Sequence, residues 1–247
     1  MNNTLSNGFR VLEFLAESGR SHSVKELAEH FGLPNSHICR LLKTLLDTGY
    51  IRQGHDRRYE VSLRILTLAN ACLSQLAVRN VAKKHLYELF STTGFRVYLA
   101  VPTRGRALIV DVVSDDGADE PSLTIGKLNP IHHSACGKLC AAYASRNELD
   151  ALLTEPRCAP TANTIVERGA LLAELEKVRR NRYAVACDES APDVYAVAAP
   201  VFHRDGSLAA AVGSFCPSST PHDQLLNQVI STANAICAEL LTVSTQN

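Results

Sequence analysis

Residues 23–61 read SVKELAEHFGLPNSHICRLLKTLLDTGYIRQGHDRRYEV. Ser23 and Glu26 have the spacing of a capping box, a hydroxyl for the orphan amides and a carboxylate reaching back three residues later. Val24, Leu27, Ala28 and Phe31 recur at helical spacing and predict a short helix with one apolar face. Gly32-Leu33-Pro34 ends it, because glycine accepts a left-handed turn and proline cannot continue the ladder. Asn35 or Ser36 can cap the next helix, whose apolar positions are Ile38, Leu41, Leu42, Leu45 and Leu46. Gly49 closes that helix. Two short runs, Tyr50 to Gln53 and Arg58 to Val61, flank a Gly54-His55-Asp56-Arg57 turn and predict a hairpin wing.

Two helices joined by so short a turn form a DNA-reading unit, the second helix entering the major groove. With its apolar face buried, this helix presents Asn35, Ser36, His37, Arg40, Lys43 and Thr44, side chains suited to base edges and phosphates. Arg57 and Arg58 of the wing extend the surface. Residues 35–59 hold five basic side chains (Arg40, Lys43, Arg52, Arg57, Arg58) against two acidic ones (Asp47, Asp56). That local excess suits a phosphate backbone. A small helical bundle with a solvated basic face is the alternative.

The remaining composition is compatible. Lys plus Arg equals Asp plus Glu at 25 each, which argues against a wholly electrostatic binder. Residues 1–79 carry ten basic and seven acidic side chains, so the small excess lies at the front. No apolar run approaches the roughly 18 residues of a membrane span, and the polar start is no signal peptide, so a cytoplasmic protein without membrane partners is expected. The eight cysteines are scattered and form no Cys-x-x-Cys. Cys136 and Cys140, one helical turn apart and near His132 and His133, could hold a metal. Buried reduced thiols are the simpler reading, so neither metal nor cofactor is expected.

Before the motif, Phe9, Val11, Leu12, Phe14 and Leu15 predict a first helix ending near Gly19. After the wing, residues 62–79 read as one linker helix. Leu63, Leu66, Asn70, Leu73 and Ala77 form a short heptad stripe, and Ile65, Leu68, Cys72 and Leu76 cover a second face. Such a helix needs neighbours on two sides, and packing on a second subunit would supply them. Beyond Val81 another helix reaches Thr93. Strands follow at Phe95 to Val101, Ala107 to Val113, Leu123 to Ile125, Tyr183 to Cys187, Tyr195 to Phe202 and Ser207 to Phe215. The polar segment Asp115 to Pro121 reads as a loop. Helices are expected at Ser134 to Ala144, Arg146 to Leu153, Ile165 to Asn181 and Pro221 to about Thr242. Antiparallel hairpins interleaved with helices make an α+β domain.

In this order the chain resembles an IclR-family transcriptional regulator. The resemblance rests on Gly32-Leu-Pro34, the stretch from Arg40-Leu-Leu42 to Gly49-Tyr50, and Thr92-Thr-Gly94. It also rests on His132 with Ser134-Ala-Cys-Gly-Lys138, Arg182-Tyr-Ala-Val185 and Val197-Ala-Ala-Pro-Val201. It implies three parts: a winged helix-turn-helix domain at 1–61, a linker and dimerisation helix at 62–79, and a GAF-like effector-binding domain at 80–247. It also implies a homodimer or dimer of dimers on operator DNA, responsive to a small molecule. The pocket is then expected near His132, Ser134, Ala135, Cys136 and Gly137, where helix-terminal amides favour a carboxylate.

Where the family pocket is often polar, this chain has Ala186, Ala196, Gly213 and Phe215. Small apolar walls and a phenyl ring suit an aromatic organic acid better than a compact polar one, whose unpaired atoms would cost roughly 1–3 kcal/mol each. An α+β enzyme is the rival from another class. The sequence lacks a Gly-x-Ser-x-Gly elbow, a Walker loop, a His-Glu-x-x-His motif and a dinucleotide fingerprint. Ser134 and Lys138 share a helical face, but no third group completes a catalytic set. An effector-independent dimeric DNA-binding module is a second rival.

Overall fold

The computed structural model describes residues 3–115 and 124–243. The chain divides into two compact units, Met1–Gln75 and Leu76–Asn247. The first contains α1 (Asn3–Ser18), α2 (Val24–Phe31), α3 (Asn35–Asp47), β1 (Ile51–Gln53), β2 (Tyr59–Val61) and α4 (Ile65–Ser74). Val11 and Leu15 of α1, Leu27 of α2, Ile38, Leu41 and Leu42 of α3, and Ile51 of β1 form its core. Both halves of the capping box are made: Glu26 N–H donates to Ser23 Oγ at 3.3 Å, and Ser23 N–H donates to Glu26 Oε2 at 2.6 Å. Gly32 caps α2 at φ 63°, a left-handed conformation that carries little penalty for glycine. Pro34 occupies the position before α3, so neither Asn35 nor Ser36 caps it as the sequence pattern suggested. β1 and β2 pair antiparallel as the wing, and His22 bridges to Tyr59 at its edge.

The second unit contains α5 (Ala77–Thr93), β3 (Val97–Thr103), β4 (Arg106–Val113), β5 (Leu128–Asn129), α6 (Ala135–Ala142), α7 (Arg146–Leu153), α8 (Arg168–Asn181), β6 (Ala184–Cys187), β7 (Tyr195–Phe202), β8 (Leu208–Cys216) and α9 (His222–Val243). Among the described residues six strands form one antiparallel sheet in the order β5-β4-β3-β8-β7-β6. α5 and α9 pack together against β3 and β7, while α6 packs on the sheet with α8 beside it. The α+β class follows. No helix among the described residues is long and apolar enough to cross a membrane.

Two segments depart from the sequence pattern. The single linker helix expected at 62–79 is interrupted at Gln75 and Leu76, where Leu76 is extended (φ −78°, ψ 93°). Tertiary packing overrides the local heptad: Val78, Val81 and Ala82 are buried in the second unit. Arg79 Nε donates to the Val110 carbonyl at 3.0 Å and pairs with Asp111 at 3.1 Å. The remaining linker helix, α4, has no buried residue within the chain, and Leu66 and Leu68 are exposed. The second departure is the strand expected at Leu123 to Ile125. Leu123, like residues 116–121 of the acidic loop, lies outside the described residues. Thr124 and Ile125 are not strand. A turn at Gly126 (φ 93°) delays the pairing, so Leu128 and Asn129 join β4 instead.

Candidate functional site

α3 turns most of its expected apolar face inward, with Leu45 half-buried and Leu46 left exposed at its last turn. Ile38, Leu41 and Leu42 are buried, while Asn35, Ser36, Arg40, Lys43 and Thr44 are exposed and His37 is partly covered. His37 Nδ1 and Arg40 Nη2 lie 3.1 Å apart, which orders the arginine along the helix. Thr44 Oγ1 donates to the Arg40 carbonyl at 3.1 Å and also borders an apolar groove against Leu5 and Phe9 of α1, so it sits at the edge of this face. Arg57 is exposed at the wing turn.

Arg58 has another partner. Its Nη2 donates to both Glu26 oxygens, at 2.8 and 2.6 Å, and to the Ser21 carbonyl at 3.0 Å. The guanidinium beside Glu26, together with the Ser23 cap, pulls that carboxyl down to about 2. Arg58 therefore clamps the wing to α2, and its donors face the protein rather than a phosphate. Arg52 is likewise paired with Glu60 at 3.0 Å. Arg40, Lys43 and Arg57 carry the outward charge of the helix and wing.

In the second unit, sheet register brings the sequence-selected positions together. Ala186, Ala196 and Phe215 lie opposite one another across β6, β7 and β8, and Ala198, Gly213 and Tyr98 form the next row. Directly opposed residues share a sheet face, and these rows face α6. A cavity of about 210 Å³ lies there, lined by Tyr98, Lys127, Asn129, Pro130, His133, Ser134, Ala135, Ser190, Val194, Ala196 and Phe215.

Ser134, Ala135, Ala196 and Phe215 thus line it, whereas five other expected residues do not. His132 is buried with Nε2 2.9 Å from the Cys158 carbonyl. Cys136 is buried; Asn129 Nδ2 donates to its Sγ at 3.2 Å. Gly137 packs against the Pro130 carbonyl, and Ala186 lies in the core. Gly213 is covered by the Tyr98 ring, which a Cβ there would overlap. The glycine is thus a steric requirement of Tyr98.

The Tyr98 hydroxyl engages Cys136 through both thiol and backbone amide, and burial pushes the phenol well above its ordinary value. Ser134 caps α6: its Oγ accepts from Gly137 N–H at 3.1 Å and donates to the Pro130 carbonyl at 2.6 Å. Two donors of the helix N-terminus are therefore committed before any ligand arrives. The sequence reading missed Tyr98, Asn129 and Val194. Tyr98 and Val194 reach α6 from more than thirty residues away in the chain, whereas Asn129 is only seven residues from Cys136 and is aimed at it by the Pro130 turn.

Lys138 does not pair with Ser134. It is fully buried, with Nζ 2.6 Å from Glu189 Oε1, 2.9 Å from the Val185 carbonyl and 3.5 Å from Glu174 Oε1. Cys136 and Cys140 are buried, and burial pushes both thiols up, away from the thiolate a metal requires.

A winged helix-turn-helix followed by an α+β domain with a cavity on its sheet defines a transcription regulator of the winged-helix class. The chain belongs to the IclR family: the IclR helix-turn-helix domain matches residues 4–55 and the bacterial transcriptional regulator IclR C-terminal domain matches residues 70–238. It is 29% identical over 223 residues to the acetate operon repressor of Salmonella typhimurium, covering 88% of this chain and 81% of that one. It is 28% identical to the transcriptional repressor IclR of Escherichia coli, with 91% and 84% covered. The fold also matches an IclR homolog from Microbacterium hydrocarbonoxydans, solved with 4-hydroxybenzoate, at a TM-score of 0.81 and 21% identity over 96% of this chain and 99% of that one. The family comprises DNA-binding transcriptional regulators, not enzymes.

Proposed function

We propose that a dimer, or dimer of dimers, binds double-stranded operator DNA through α3 and the wing tip, in the cytoplasm. A small organic acid with an aromatic body, held in the cavity beside α6, modulates that binding. The observation that carries the effector reading is the cavity's two-sided lining. Val194, Ala196 and Phe215 supply an apolar wall, while Lys127, Asn129 and Ser134 line a polar, cationic end beside the positive end of the α6 dipole. Its volume exceeds the roughly 150 Å³ of an engineered apolar cavity that accepts benzene. The Microbacterium relative, captured with an aromatic acid, shares this fold. The exposed Leu66 and Leu68 of α4 suit a subunit contact by the linker.

Asn35, Ser36, His37, Arg40 and Lys43 form the proposed reading face, with Arg57 at the wing and Thr44 at the edge. Arg40→Ala should weaken operator binding by about 1–3 kcal/mol in a gel shift, the worth of a bidentate arginine–base contact. Wild-type affinity in that variant would move the reading face off this part of α3. Calorimetric titration should show benzoate-like acids binding and glyoxylate and pyruvate not binding, and Phe215→Ala should lower the benzoate affinity. Binding of the two compact acids alone would overturn the aromatic assignment.

A further inference from the structure

We propose that His132, His133 and Cys158 form a site for one thiophilic divalent cation of the Zn²⁺ class, at the edge of the cavity that His133 also lines. One ligand atom from each residue lies within 4.8 Å of the others. On a tetrahedral ion such atoms stand roughly 3.3–3.6 Å apart, so small side-chain rotations close the set. Adjacent residues on a strand would point to opposite faces. These two occupy a turn, which brings their rings to 4.6 Å at 88°.

The thiol is carried on an anchored segment. His132 Nε2 contacts the Cys158 carbonyl at 2.9 Å, and the neighbouring Arg157 donates to the Val166 carbonyl at 2.7 Å and the Leu153 carbonyl at 3.1 Å. His133 Nδ1 is buried with no hydrogen-bond partner among the described residues, a polar atom for which an ion would account. Cys158 is exposed, which gives the ion an entry path and lets the thiol release its proton to solvent as the metal–sulfur bond forms. Two nitrogens and a sulfur exclude Mg²⁺ and Ca²⁺, and three protein ligands leave a fourth position for water or an anion.

The test uses the full-length, reduced, metal-free protein, titrated with Zn²⁺ against a chromophoric chelator and with Co²⁺ followed by absorption. One tight ion per chain and a thiolate-to-cobalt charge-transfer band are expected. Cys158→Ser and His133→Ala should each weaken Zn²⁺ binding at least about tenfold, and Cys158→Ser should abolish the band. Serine at the other two exposed thiols, Cys39 and Cys72, should leave both signals unchanged. Because Cys158 is exposed, its serine variant should keep the metal-free melting temperature. Wild-type affinity in Cys158→Ser, or no tight ion in the unmodified protein, would overturn the site.

Discussion

Lys138→Ala is expected to destabilise the C-terminal domain by about 3–5 kcal/mol at pH 7.5, because it leaves a buried carboxylate without its counter-ion. Nζ holds three groups from different elements: Glu174 on α8, the Val185 carbonyl on β6, and Glu189 just beyond β6. Glu189 Oε2 is already buried with no partner among the described residues, and besides Lys138 the carboxyl is met by the Cys187 backbone amide. Burial pushes the Glu189 carboxyl up, and the Lys138 ammonium opposes that rise. Removing Lys138 therefore raises it further. A carboxyl with a raised folded value keeps its stability below the unfolded value, about 4.3, and loses it as pH rises through the folded value. The deficit of Lys138→Ala should thus shrink toward pH 4–5 and be largest above neutrality. Lys138→Met with Glu189→Gln should recover much of the loss, since the volume returns and the Glu189 charge goes with its partner, while Glu174 keeps Lys177 at 3.7 Å. Urea unfolding at several pH values checks this. A deficit under about 1 kcal/mol, or one that grows on acidification, would contradict the buried-pair account. Because Ser190 lines the cavity next to Glu189, the Lys138→Met, Glu189→Gln variant should also loosen effector binding.

What the sequence disclosed depends on the range of the physics. The capping box at Ser23 and Glu26, the left-handed Gly32 and the apolar spacing of α3 are local signals, and they appear in the structure where the spacing put them, except that Leu46 at the end of the α3 face is exposed. The break at Leu76 was not legible, because no glycine or proline marks it. Burial of Val78 and Ala82 in the second unit sets it. Arg58 looked free for phosphate because its partner, Glu26, is 32 residues away. The cavity was half legible for the same reason. Ser134 and Ala135 lie in a local capping motif, and Ala196 and Phe215 came from family resemblance. Tyr98, which covers Gly213 and engages Cys136, came from neither. The His132, His133 and Cys158 cluster depends on a loop returning over 26 residues, whereas the sequence had suggested the nearer Cys136 and Cys140.

Gly137→Ala should destabilise the same domain by about 1–3 kcal/mol, although alanine is the better helix former by about 1 kcal/mol. The reason is steric. A Cβ at 137 would overlap the Pro130 carbonyl oxygen and the Ser134 hydroxyl, and backbone cannot swing aside as a long side chain can. Those same groups make the cap of α6, with Ser134 Oγ donating to Pro130 and accepting from Gly137. The added methyl must either break the cap, worth about 1 kcal/mol, or push the Pro130–Ser134 turn away from the helix. Either movement shifts Pro130, Ser134 and Ala135, three residues of the cavity wall. Effector binding should therefore weaken under conditions where the variant is still folded. Gly8 supplies the control, since it lies within α1 and a Cβ there meets nothing within 4 Å. Gly8→Ala should stabilise the N-terminal unit by up to about 1 kcal/mol. Opposite signs for the two substitutions, read from denaturant midpoints, are the expected result. A neutral or stabilising Gly137→Ala would show that α6 does not approach the Pro130 turn as closely as the cavity requires.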